Sequence, residues 1–121
     1  WPVAACLDAK RGQVYVQTFA PNAAGPEPIA ESRAWPPERF AATLVEKTLV
    51  VGDGIDEYRD ALIEASGGLA VPVAAGLCYH RAGSVAILAE RRFAAGLPVA
   101  PLAPLYLRSW DAQAVEEPAG R

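Results

Sequence analysis

Residues 3–19 read Val3-Ala4-Ala5-Cys6-Leu7-Asp8-Ala9-Lys10-Arg11-Gly12-Gln13-Val14-Tyr15-Val16-Gln17-Thr18-Phe19. Two apolar runs flank a short polar break. The first, Val3 to Ala9, is apolar on both sides until Asp8, the pattern of a strand buried on both faces. The second, Gln13 to Ala20, alternates: Val14, Val16 and Thr18 share one face, and Tyr15, Gln17 and Phe19 share the other. Lys10, Arg11 and Gly12 suit a three- to four-residue hairpin loop, with Gly12 free to take a positive φ. The chain therefore opens with a β-hairpin whose first strand is central. Its carboxylate, Asp8, serves either chemistry or the fold.

Working outward, Pro21 to Pro26 is a turn-forming cluster. Glu27 to Ala34 reads as a third, more polar strand, and Pro28 places it at an edge. Trp35-Pro36-Pro37 opens a helix over 37–46, with Glu38 in its first turn and Phe40, Ala41, Leu44 and Val45 on one face. Thr48 to Val51 is a short buried strand ending at Gly52-Asp53-Gly54. Asp56 is placed to cap a second helix, Glu57 to Ala65, which Ser66-Gly67-Gly68 terminates. Leu69 to Ala74 is a fifth strand, at an edge because of Pro72. Ala82 to Ala95 is the strongest helix, with Val85, Leu88, Ala89 and Phe93 on a broad apolar face and Gly96 as its stop. Pro98, Pro101 and Pro104 keep Leu97 to Arg108 extended. Residues 109–121 read as a flexible tail. The order β-β-β-α-β-α-β-α predicts an α/β domain with a mixed five-stranded sheet and helices on both faces. It is similar to the order of a ribonuclease-H-like domain, the lobe repeated in the actin-like ATPase architecture.

The totals narrow the function. The chain has 121 residues, 52% of them hydrophobic, and a formal net charge of -3. That suffices for one domain with a core and argues against a chain that holds nucleic acid by itself, which needs a concentrated basic face. Cys6 and Cys78, far apart and among apolar neighbours, read as buried thiols of a reduced, cytoplasmic protein rather than a disulfide or metal pair. No run is long enough to span a membrane, and no signal peptide is visible. The lack of Met, with Trp1-Pro2 directly before a strand, predicts a fragment: the second of two lobes, the N-terminal lobe being absent.

Candidate chemistry is sparse. Asp8 and Asp53 end parallel neighbouring strands. With Glu46 they would form the carboxylate set of a metal-dependent nuclease or phosphotransferase. Such an enzyme needs three converging carboxylates and a basic track. The balance favours Asp8 starting the hairpin turn and Asp53 sitting in a strand-to-helix turn. Gly52-Asp53-Gly54 lacks the third glycine of a dinucleotide loop, where Glu57 stands, and lacks the Lys-Ser/Thr of a P-loop. A sugar-kinase or acetate-kinase lobe is disfavoured for the same reason. His80 and Cys78 would share one side of a strand, but no third orienting residue accompanies them. Ser84 reads as a helix cap and not a nucleophile. Lys10-Arg11 and Arg91-Arg92 read as solvated basic pairs, with an acidic partner or RNA as the functional alternative.

The closing stretch Pro101-Leu102-Ala103-Pro104-Leu105-Tyr106-Leu107-Arg108 resembles the Pro-x-x-Pro-x-Tyr-Leu-Arg segment of the bacterial TsaB (YeaZ) family. Asp8-Ala9-Lys10-Arg11-Gly12-Gln13-Val14-Tyr15 resembles that family's Asp-Ala-Arg-x-x-Glu-Val-Tyr hairpin, with Lys10 for Arg and Gln13 for Glu. Val51-Gly52-Asp53-Gly54 with Tyr58 is similar to its Val-Gly-x-Gly…Tyr turn. Ala82 onward corresponds to its last long helix, here without the proline often found in 78–83. The resemblance covers residues 1–108 as the C-terminal ribonuclease-H-like lobe. It implies a non-catalytic accessory subunit of the tRNA N6-threonylcarbamoyladenosine modification complex, without catalytic or metal-binding residues. The implied partners are a TsaD-like transferase and a TsaE-like ATPase, with tRNA met only through the complex. No cofactor is expected on this lobe, and ATP or ADP only in the assembled complex. A homodimer is a further expectation, from apolar surface left by a missing lobe. The glycoprotease or M22 peptidase label carried by these proteins has no support in the residues: there is one His and no nucleophile–base set.

Overall fold

The computed structural model describes residues 1–22, 25–74, 79–99 and 101–108. The hairpin forms as β1 (Val3–Lys10) and β2 (Gln13–Ala20), antiparallel, with Cys6 opposite Val16. β1 is central: β2 flanks it on one side, and the parallel strand β5 (Thr48–Val51) on the other. β6 (Ala70–Pro72) continues the sheet, parallel to β5, and ends it, as Pro72 requires.

The third strand is not continuous over Glu27 to Ala34. It breaks into β3 (Glu27–Pro28), beside Phe19 and Ala20, and β4 (Arg33–Trp35), beside Val14 to Val16. The ladder order is β3-β2-β1-β5-β6, with β4 also on β2. Across the break the Gln17 side-chain amide donates to the Ala30 carbonyl at 3.3 Å, a side chain standing in for a ladder bond. Among the described residues, six strands thus occupy five positions in a mixed sheet.

Two helices cover one face. α1 runs Pro37–Ala41, half its expected length. Phe40 and Ala41 are buried as expected, but the Thr43 hydroxyl donates to the Phe40 carbonyl at 2.7 Å, and the chain turns away toward β5. Val45 is consequently exposed. α2 runs Gly54–Ala65, starting three residues before the expected Glu57; its backbone leaves helical geometry at Tyr58 (φ -116°, ψ 17°). Asp53, not Asp56, occupies the N-cap position, with no side-chain cap bond. Ser66 closes the helix: its hydroxyl donates to Ile63 and accepts the Ala70 N–H. The core lies between this pair and the sheet, built on Ala4, Cys6, Val14, Val16, Phe40, Val50, Ile55 and Leu62.

The other face is less covered. Val3, Ala5, Leu7, Tyr15 and Phe19 are half-buried. α3 (Ala82–Ala94) forms where the sequence predicts and stops before Gly96 (φ +67°), but it buries no residue. Ser84 is not its cap, because Arg81 takes that position. Residues 97–99 and 101–108 carry no helix or strand, and their Arg108 guanidinium donates to the Ala9 carbonyl at 2.8 Å. No helix among the described residues is long and apolar enough to cross a membrane. Residues 109–121 and Cys78 lie outside the described residues.

Candidate functional site

The carboxyl ends of β1 and β5 form one rim, and both acidic candidates lie on it. β1 and β5 pair in parallel through Ala5 and Val51. Beyond Val51 the chain leaves for α2, so β1 loses its backbone partner. The Asp53 carboxylate replaces it, accepting the Asp8 N–H at 3.0 Å. The Asp8 carboxylate is also engaged. Its Oδ1 accepts the Lys10 N–H at 2.8 Å, and its Oδ2 pairs with the Lys10 ammonium. The Lys10 ammonium, and after it the Lys10 N–H, hold Asp8 below the usual carboxylate range, and the Asp8 carboxylate raises Lys10.

These contacts hold a tight hairpin. β1 carries one extra residue, Ala9, between the Asp8–Val14 and Lys10–Gln13 pairs. The loop is two residues, Arg11 and Gly12, shorter than expected. Both have positive φ (54° and 71°), as in a type I′ hairpin turn, and Lys10 before them also has φ 61°. Left-handed geometry costs a side-chain-bearing residue about 1 kcal/mol or more, and the Asp8 carboxylate bonds to Lys10 in that conformation. The bulged Ala9 leaves its carbonyl to Arg108.

The glycine turn on the same rim has a steric origin. A Cβ on Gly52 would stand 2.2 Å from the Cys6 carbonyl oxygen, and one on Gly54 would stand 2.9 Å from the Cys6 sulfur. The glycines admit β1 against the start of α2. Cys6 lies fully buried beneath them as a free thiol, its pKa pushed up to about 12 by burial and then by the charges of Asp53 and Asp8.

Of the other candidates, Glu46 does not join the rim. It lies in the connector just ahead of β5, at the end of that strand opposite Asp53. No group of three His, Cys, Asp or Glu among the described residues is placed to hold a metal ion. His80 is exposed, and its pairing with Cys78 lies outside the described residues. Lys10, Arg11, Arg91 and Arg92 are solvent-exposed. Sequence reasoning missed the Asp53 bond to the Asp8 amide. The only available signal was two parallel strands each ending at an Asp.

A mixed α/β domain with a carboxylate-bearing rim is the class of structure these features define. Two solved structures are similar to it in fold. One is a crystal structure of an uncharacterized protein with similarity to peptidase YeaZ from Pseudomonas aeruginosa. It is 27% identical, with a TM-score of 0.67 over 88% of this chain and 49% of that one. The other is YeaZ from Pseudomonas aeruginosa, 24% identical, with a TM-score of 0.58 over 82% and 49%, a likeness of fold. The resemblance to the TsaB (YeaZ) family is thus carried by YeaZ-like structural neighbours. This chain spans about half the length of each. No protein-family profile and no curated protein matches it.

Proposed function

We propose that residues 1–108 are a ribonuclease-H-like lobe of a TsaB-like accessory subunit, which supports a TsaD-like transferase in forming N6-threonylcarbamoyladenosine on tRNA. In this reading the subunit is cytoplasmic and non-catalytic, and it meets a TsaE-like ATPase and tRNA only within the complex. Nucleotide is held by the assembly and not by this lobe. The YeaZ-like neighbours support the family. The observation that carries the non-catalytic role is the engagement of both rim carboxylates: Asp53 takes the Asp8 N–H, and Asp8 takes Lys10. A carboxylate that completes a ladder or clamps a turn has fewer lone pairs for a metal ion or a water.

The test is reconstitution of the intact protein with its TsaD-like and TsaE-like partners on unmodified tRNA. Omitting the protein should abolish modification. Modification at full rate without it would end the proposal. One observation favours the metal-dependent nuclease or phosphotransferase as a second reading: Asp8 and Asp53 do meet on one rim. Manganese titration followed by paramagnetic broadening separates the two. The accessory reading expects no selective broadening at Asp8 and Asp53.

A further inference from the structure

Away from the rim, a cavity of about 450 Å³ opens between residues 22 and 25–28 on one side and the C-terminal end of α3 on the other. Its volume is in the range of small-molecule sites, which combine apolar walls with a few convergent polar groups. The walls here are Phe19, Pro26, Pro28, Leu88 and Leu97. Phe19 is half-buried, and Leu88 is the least exposed of the large apolar residues on α3. Arg91 and Arg92, consecutive in the last turn of α3, both line the opening. Neither guanidinium has a hydrogen bond or ion pair among the described residues.

Two cations at a helix C-terminus gain from the helix dipole, and that alone would explain one solvated arginine pair. It does not explain why both flank the same apolar hollow. The opposing charge is Glu27, whose Oε2 accepts a 3.5 Å bond from the Asn22 amide. Among the described residues, two guanidiniums against one carboxylate leave the lining with a formal charge of +1. Arginine is the side chain best suited to binding a carboxylate or phosphate through paired N–H donors.

We infer that this cavity is a binding site for a small organic anion with an apolar body, the anionic group on Arg91 and Arg92 and the body against Phe19 and Leu88. The site is independent of the rim and of the role proposed in tRNA modification.

The test is a two-dimensional amide NMR titration of the chain with 4-phenylbutyrate, 4-phenyl-1-butanol and inorganic phosphate in parallel. The carboxylate should give saturable shifts at residues 22 and 25–28 and over 88–97, with a Kd on the order of 1 mM. The neutral alcohol and phosphate should each bind at least about tenfold more weakly, as should the carboxylate to an Arg91→Gln/Arg92→Gln variant. Both side chains are exposed, so that variant should fold, and unchanged amide dispersion checks it. Lys10→Gln/Arg11→Gln, at the hairpin turn and so at the other end of β2 from Phe19, should leave the titration unaltered. The inference is overturned by no saturation below about 20 mM, by equal binding of the alcohol, by phosphate reproducing the shifts, or by an unchanged Kd in the arginine variant.

Discussion

The two glycine-bearing turns on the rim need their glycines for different reasons. Lys10-Arg11-Gly12 is exposed, and nothing stands within 4 Å of a Cβ built on Gly12; its glycine is there for backbone geometry alone. Gly52-Asp53-Gly54 is packed against β1, so Gly52 must have both its positive φ (116°) and no side chain. One turn is set by local conformation and the other by tertiary contact. The carboxylate beside each serves that difference: Asp8, on β1, clamps the turn that follows it, and Asp53 reaches another strand.

Gly52→Ala should have the largest effect. It forces a clash with the Cys6 backbone and adds left-handed strain, and should cost more than about 3 kcal/mol in urea denaturation or prevent folding. A loss under about 1 kcal/mol would erase the contrast between the turns. Asp53→Ala should come next. It strands the part-buried Asp8 N–H and should cost about 1–3 kcal/mol. Gly12→Ala should cost only about 1 kcal/mol, since it meets strain without a clash.

The pH dependence should be smaller and should separate the turns again. Asp8 titrates lower when folded than when unfolded. Its stabilisation is therefore present at neutral pH and lost as pH falls below about 4, which acid melting curves of Asp8→Asn against the parent would display. Cys6 behaves oppositely, because its folded pKa is raised to about 12. Its contribution holds below the unfolded thiol pKa of about 8.5 and is lost as pH rises from there. At pH 8 the folded protein should resist a thiol reagent at Cys6, and rapid labelling without unfolding would show the rim to be looser than described.

The hairpin, the short strand at Thr48, the two-glycine turn and the last helix were legible because each is announced by local pattern. The third strand and α1 were legible only in outline. β-Propensity over 27–34 could not reveal that the strand breaks around Ile29, and helical spacing through Val45 could not reveal that Thr43 turns its hydroxyl onto Phe40. The same limit applies to the helices. α2 and α3 both carry apolar stripes, yet α2 buries Ile55 and Leu62 while α3 buries nothing. Amphipathicity states that a face seeks cover, and not whether this chain supplies it. At the rim, the sequence showed two Asp at strand ends. The amide that ties them together depends on where β5 departs, which is a property of the assembled sheet.

The most direct test of a structural rim is the double variant Asp8→Asn/Asp53→Asn in the intact protein. Asparagine keeps an acceptor oxygen for the Lys10 and Asp8 amides and removes both charges. With the variant shown to be folded, its rate of tRNA threonylcarbamoylation in the reconstituted complex is the deciding measurement. A structural rim gives a rate within about twofold of the parent; a fall of about a hundredfold or more, the scale of a lost acid–base or metal-binding group, would contradict it.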